Sequence, residues 1–374
     1  VDVSFCAIYP KVVSVMRRFT LPVGLAVVAA LAAGAAACSD TSDAKMPPLH
    51  VTPSASRSPS AQADAAKEPI TIAFAGDTHF YAQLAARLAN PRTALGPTIP
   101  WLKKADFTIA NLETAITTRG TKAPKQYNFR APASAFTALK AAGIDVVSMA
   151  NNHGMDYGRV GLADSLAAIK RSGYPVVGIG KNAAEAYKPY YATVKGTRIA
   201  VIGATQVLDD NLISAWSATN TQGGLASAKN APRLIQEVRK ARKRADAVIV
   251  YLHWGQELQP CPLPRQKHLA NQLVHAGADV IVGGHAHIPL GGGFFHGRYI
   301  DYGMGNFFFY AASGKTADTG ILELTLSGRK VLKARWRPGT ISGGVPRLLT
   351  GAARVRALAK WNALRGCTGL TARP

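Results

Sequence analysis

Eight short runs rich in β-branched and other apolar residues recur along this chain, with stretches of helical period between them. The runs are 70–75 (ITIAFA), 106–110 (DFTIA), 144–149 (IDVVSM), 175–179 (PVVGI), 198–203 (RIAVIG), 246–252 (DAVIVYL), 279–283 (DVIVG) and 298–303. Most are continuous apolar segments rather than alternating ones, the pattern of strands covered on both faces. Residues 134–142, 160–172, 230–244 and 264–276 carry the helical period. Strands buried on both faces and separated by helices point to an α/β sheet covered by helices. Two later runs, 320–327 and 330–337, flank a Gly-Arg turn and predict an antiparallel hairpin.

What precedes Ile70 has a different texture. From Met16 the chain reads MRRFTLPVGLAVVAALAAGAAACSD: two arginines, an apolar run, then small residues up to Cys38. This is the layout of a secretory signal peptide. A Cys directly after small residues resembles a bacterial lipoprotein signal, which makes Cys38 the expected lipidation site. An uncleaved membrane anchor and ordinary secretion are the alternatives. Residues 39–69 are rich in Ser, Ala, Pro and Asp without apolar periodicity and predict a disordered linker. The expected organisation is a signal segment at 1–38, the linker at 39–69, a folded domain at 70–337 and a basic C-terminal extension at 338–374.

The formal net charge of +23 implies an anionic partner: nucleic acid, phospholipid, a teichoic-type polymer or a poly-acid. The excess is uneven, since 329–374 holds no Asp or Glu at all. A solvated basic tail is the plainer reading of that segment. Nucleic acid is disfavoured, because neither a zinc-finger pattern nor an RNA-binding aromatic signature accompanies the charge. Cys261 and Cys367 lie outside the leader and are disulfide candidates in an exported chain; their bridge would pin the basic extension to the body.

The chemistry-bearing residues follow the strands. After 70–75 come Asp77 and His79; after 106–110, Asn111 and Glu113; after 144–149, Asn151, Asn152, His153 and Asp156; after 246–252, His253 and Glu257; after 279–283, His285 and His287. Five of the nine histidines sit at such strand ends. Ligands of open α/β sheets gather beyond the carboxyl ends of the strands, so these five clusters are expected to converge. Extended chain would turn residues i and i+2 the same way, pairing Asp77 with His79 and His285 with His287. Carboxylate plus imidazole suits Mn, Fe or Zn rather than Ca or a lone Mg. The seven ligand candidates, Asp77, His79, Glu113, Asn152, His253, His285 and His287, fit two divalent ions better than one.

This order of motifs resembles the calcineurin-like metallophosphoesterases. The segments ANLETAIT at 110–117, MANNHGMDYG at 149–158, LHWGQE at 252–257, GADVIVGGHAH at 277–287 and YGMGNFFF at 302–309 resemble the CapA branch, the poly-γ-glutamate capsule biosynthesis proteins. The resemblance covers roughly residues 70–310. It implies a four-layer α/β/β/α sandwich, here followed by the hairpin and the basic tail, attached outside the cell membrane through a lipid or signal anchor. By resemblance, Asp77, His79 and His287 bind one metal, Glu113 bridges, and Asn152, His253 and His285 bind the second. His153 is then the catalytic acid and Asp156 orients it. Glu257 is either a supporting residue or an exposed ion-pair residue. Arg130 in YNFRAP either contacts an anionic substrate or forms a structural ion pair, and Asn151 is a further substrate-binding candidate.

The implied function is that of an exported protein of poly-γ-glutamate, capsule or other envelope-polymer metabolism. It would act as a two-metal hydrolase or transferase using a metal-bridging hydroxide on a γ-glutamyl amide or a phosphoester. The alternative is a non-catalytic envelope protein that binds or exports an anionic polymer by charge. Partners would be that polymer and capsule-synthesis membrane proteins.

Overall fold

The computed structural model describes residues 67–374. The expected signal segment, the lipidation site Cys38 and nearly all of the expected linker lie outside the described residues. No helix among the described residues is long and apolar enough to cross a membrane.

The principal strands are β1 (Ile70–Thr78), β2 (Phe107–Leu112), β3 (Val146–Ser148), β4 (Val176–Val177), β5 (Tyr190–Val194), β6 (Thr197–Thr205), β7 (Ala247–His253), β8 (Val280–Gly284), β9 (Gly292–Phe295), β10 (Arg298–Asp301), β11 (Asn306–Phe308), β12 (Asp318–Ser327), β13 (Lys330–Ser342) and β14 (Val345–Leu348). The principal helices are α1 (Ser134–Ala141), α2 (Gly158–Ser172), α3 (Ala231–Arg242), α4 (Pro264–Ala276) and α5 (Gly351–Ala363). The strands form two large sheets, which the strand pattern alone did not distinguish from one and the four-layer resemblance implies. The first has eight strands in the order β14-β13-β12-β1-β2-β3-β4, with β11 pairing the end of β1. The second has six in the order β9-β10-β8-β7-β6-β5. In the first, the parallel strands β1-β2-β3-β4 run to one edge and the antiparallel strands β12-β13-β14 to the other; in the second, a parallel centre is flanked by an antiparallel strand at each edge.

Alternation along the strands explains the layering. Ile70, Ile72 and Phe74 of β1 and Phe107 and Ile109 of β2 share a core with Ile199, Val201, Ile249, Tyr251, Val280 and Val282 of the second sheet. The opposite faces are covered by helices. Ala73, Ala75 and Val147 pack with Phe136 and Leu139 of α1 and Leu162 of α2. Ile202, Val248, Val250 and Leu252 pack with Leu234 and Val238 of α3 and Leu269 and Leu273 of α4. Every central strand is therefore apolar on both sides, and the fold is a four-layer α/β/β/α sandwich.

The expected strand 175–179 is broken. Gly178 takes a left-handed φ of +88° and its α-carbon approaches Ala150 so closely that a Cβ would lie 2.4 Å from the Ala150 methyl. β12 and β13 pair antiparallel around Gly328–Arg329, with a register shift at Thr325/Leu326. β13 continues to Ser342, and the segment read as a basic tail carries β14 and α5. Trp361 of α5 stacks on Trp336 of β13 with centroids 5.3 Å apart. Cys261 and Cys367 are joined by a disulfide across 106 residues.

Candidate metal centre

Register places the site. β1 and β2 align Asp77 with Asn111, β2 and β3 align Asn111 with Ser148, and β7 and β8 align His253 with Gly284. The polar clusters beyond these carboxyl ends meet where the two sheets face each other. Asp77, Glu113 and His253 offer ligand atoms within 4.8 Å of one another, and all three are fully buried. Glu257, His285 and His287 form a second such group. The two adjoin: the His253 and His285 rings are 4.8 Å apart, and His287 Nδ1 lies 3.5 Å from Asp77 Oδ2.

The surrounding polar groups orient these atoms. Asn111 Nδ2 donates to Asp77 Oδ1 (2.8 Å) and lies 3.3 Å from His253 Nδ1. The His285 backbone N–H donates to Asp77 Oδ2 (3.0 Å). Gly284 is required beside them, since a Cβ there would lie 2.4 Å from Asp77 Oδ1. His253 Nε2 meets Asn152 Oδ1 at 2.8 Å and Glu113 Oε1 at 3.6 Å. His287 Nδ1 meets Asn306 Oδ1 at 2.9 Å. His285 and His287 both have left-handed backbones, with φ of +92° and +56°. Such conformations cost about 1–3 kcal/mol each and collect at functional sites.

The arrangement fits a divalent metal on its own evidence. Glu113 Oε1 and His285 Nδ1 are buried with no hydrogen-bond partner. An unpartnered buried acceptor is expensive, and a cation would satisfy both. Burial lowers the pKa of His253 and of His285 well below the ordinary imidazole value, which favours the neutral form that binds metal. Burial, reinforced by Asp77, raises the Glu113 carboxyl well above its usual range. His287 is the exception: burial lowers it, but Asp77 and Glu113 outweigh burial and lift it to about 9.

His153 stands beside this cluster as a separate unit. Its Nδ1 lies 2.6 Å from Asp156 Oδ2 and its Nε2 3.9 Å from Glu113 Oε1. Lys125 Nζ is 3.0 Å from Asp156 Oδ1, 3.5 Å from His153 Nδ1, and hydrogen-bonds the Asn152 carbonyl. Phe129 stacks on the His153 ring at 4.1 Å. Burial raises Asp156 to about 7 against the pull of Lys125.

The expectations for His79, for Asn151 and for an extended backbone at His285 and His287 are corrected here, and for Arg130 the ion-pair alternative is removed. Asp77 and His79 do not form a pincer: β1 ends at Thr78 after a register shift, and the His79 ring sits among Phe129, Phe309 and Tyr310. Both its nitrogens face backbone N–H groups, those of Tyr81 (3.0 Å) and Tyr310 (3.3 Å). Asn151 is not free for substrate. Its amide donates to Asn111 Oδ1 and the Leu112 carbonyl, and its oxygen accepts from the His153 N–H. Arg130 is exposed, lies over the Tyr157 ring at 4.8 Å, and among the described residues makes no ion pair. His285 and His287 do meet, but through turned rather than extended backbone.

Sequence reading passed over Lys125, Phe129 and Asn306 and gave Asn111 no role. Asn111 and Asn306 sit inside motifs that were singled out, ANLETAIT and YGMGNFFF. Lys125 lies in the loop 118–129, where nothing in the pattern marks it.

A family model described as "Bacterial capsule synthesis protein PGA_cap" matches residues 71–311. The chain is 33% identical over 261 residues to "Capsule biosynthesis protein CapA" of Bacillus anthracis, covering 68% of this chain and 62% of that one. It is 32% identical over 238 residues to "PGA biosynthesis protein CapA" of Bacillus subtilis, covering 61% and 59% respectively. It thus spans about three-fifths of the length of the curated relatives it matches. Among solved structures, a hypothetical protein from Thermus thermophilus is similar with a TM-score of 0.45 and 18% identity, covering 73% of this chain and 100% of that one.

Proposed function

The chain belongs to the bacterial capsule synthesis protein family, and from that premise we propose that it serves poly-γ-glutamate or related anionic envelope-polymer metabolism as a metal-dependent hydrolase or transferase. The observation that carries the catalytic reading is Glu113 Oε1. It is buried, unpartnered, and faces both His253 Nε2 and His153 Nε2.

Two ions, of Mn, Fe or Zn, are the proposed occupants. Asp77, Glu113 and His253, with Asn152, would hold one, and His285, His287 and Glu257 the other. When bound, such ions supply Lewis-acid polarisation of a substrate oxygen and a lowered pKa for water. The chain's own residues do the rest. Asp77 and Glu113 supply carboxylate oxygens to the cleft. Asn111 and Asn306 fix the orientation of His253 and His287. His153 presents Nε2 toward the cluster while Asp156 holds Nδ1, so this ring can pass a proton to a leaving oxygen or nitrogen. Lys125 keeps the Asp156 carboxylate in place.

An envelope location is part of the proposal and rests on the signal-like stretch 16–38. The test is hydrolysis of poly-γ-glutamate and of model phosphoesters by the metal-loaded protein. Glu113→Ala and His287→Ala should each abolish turnover; turnover that survives both would overturn the reading.

A further inference from the structure

Residues 329–374 contain eleven Lys and Arg and no acidic residue, yet they are not a loose tail. Helix α5 lies on β13 through the Trp336–Trp361 stack, and the Cys261–Cys367 disulfide closes its far end. Two hollows adjoin here, sharing Pro338.

The first, of about 210 Å³, is mostly apolar and includes Trp336 and Trp361. Its wall contains Ile288 and Pro289, the residues that follow His287, and Thr319, which hydrogen-bonds the carbonyl of Asn306. It therefore abuts the backbone that positions His287. Trp361 is buried, and its indole N–H has no acceptor among the described residues. The second hollow, of about 600 Å³, is lined by Arg337, Arg347, Arg354 and Trp101. Arg337 is held by Glu323. Arg347 and Arg354 are exposed and make no ion pair among the described residues.

We propose that these hollows form one binding track for a polycarboxylate chain, leading toward the metal centre. This rests on the anionic-polymer reading above and adds the surface that would hold the polymer. Arg347 and Arg354 offer planar guanidinium forks that match carboxylates. The tryptophan-lined hollow suits the methylene segments between charges, which a polycarboxylate has and an inorganic polyphosphate lacks.

The test is fluorescence anisotropy of labelled poly-γ-glutamate with the full chain, across a salt series, and with inorganic polyphosphate of equal charge as competitor. R347E/R354E should weaken binding at least tenfold and flatten its salt dependence, as lost charge contacts require. R239E/K243E, the same charge change on and just beyond α3, should stay within twofold of the wild type. Polyphosphate should compete more weakly than unlabelled poly-γ-glutamate. A twofold or smaller effect of R347E/R354E, or polyphosphate competing equally well, would overturn the track. The two readings fail separately. H285A/H287A should lose turnover and keep polymer affinity, so an affinity unchanged by R347E/R354E sinks the track alone. Absent turnover with the full binding pattern intact sinks the hydrolase reading alone.

Discussion

The two ends of β8 treat buried charge in opposite ways. At its amino end Asp279, fully buried, is surrounded by Arg242, Arg298 and Arg329 and also accepts the Val248 N–H. At its carboxyl end His285 and the neighbouring Glu113 each keep a buried atom with no partner. Both ends are polar and both are walled by the same two sheets. A chain that can ring one carboxylate with three guanidiniums has the means to satisfy another. The carboxyl end lacks any arginine among the partners of Asp77 and Glu113, so its deficit is a property of a ligand site rather than of poor packing.

That contrast can be broken first at the closed end. Asp279→Ala would leave three guanidiniums facing one another in a site with little water. The expected loss is about 3–5 kcal/mol of stability in urea titration. The metal cluster is untouched by this change, so metal content at low temperature should stay normal.

The disulfide is a second device of the closed kind. C261S/C367S releases a loop of 106 residues and should cost about 2–4 kcal/mol. Denaturation in the absence of reductant would show it, and reductant should then have no further effect on the variant.

A third change tests whether an unsatisfied carboxyl elsewhere behaves as the contrast requires. Asp301 Oδ2 is buried without a partner, and burial raises its pKa to about 7 from 3.8. Between those values the folded protein keeps a proton that the unfolded chain has released. Asp301 therefore makes stability fall as pH rises through that window. Asp301→Asn should remove that fall and leave the variant the more stable of the two at pH 8, by about 1–3 kcal/mol. Thermal melts at pH 5 and pH 8 would decide it.

The smallest effect is expected at the junction of the two regimes. Lys125 closes the Asp156 carboxylate as the arginines close Asp279, but it does so beside His153, the proposed proton donor. Lys125→Met should lower kcat about tenfold, or about 1.4 kcal/mol. The pH–rate profile should shift while KM stays nearly constant, since the residue acts through His153. A loss confined to KM would place Lys125 on the substrate instead.

Much of this was legible in the chain. Helix α4 begins and ends where the period placed it, and the β1, β2, β6, β7 and β8 strands start within a residue of their apolar runs. Two-sided burial, however, looks the same whether strands share one sheet or two. The two sheets were implied by the motif resemblance and not by the strand pattern, and pairing places β7 and β8 in a different sheet from β1 and β2. The convergence of Asp77, Glu113, Asn152, His253, His285 and His287 was readable because strand ends collect ligands. The side-chain directions were not, because a register shift before His79 and the left-handed backbones of His285 and His287 defeat a two-residue period. α5 was hidden by composition: its contact face consists largely of Leu358 and Trp361, and the rest of the helix is mainly arginine, lysine and alanine. Its docking depends on Trp336 and Cys261, far away in sequence.

The central claim is that the open strand ends form a divalent metal site. The most direct measurement is metal content by mass spectrometry after the protein is incubated with Mn, Fe and Zn in turn and desalted, compared with H285A/H287A and Glu113→Gln. The account expects about two ions per chain in the wild type, loss of metal in both variants, and unfolding free energies of the metal-free variants no lower than that of the metal-free wild type. A wild-type protein that retains no metal under any of these conditions, or variants that retain it in full, would contradict the account.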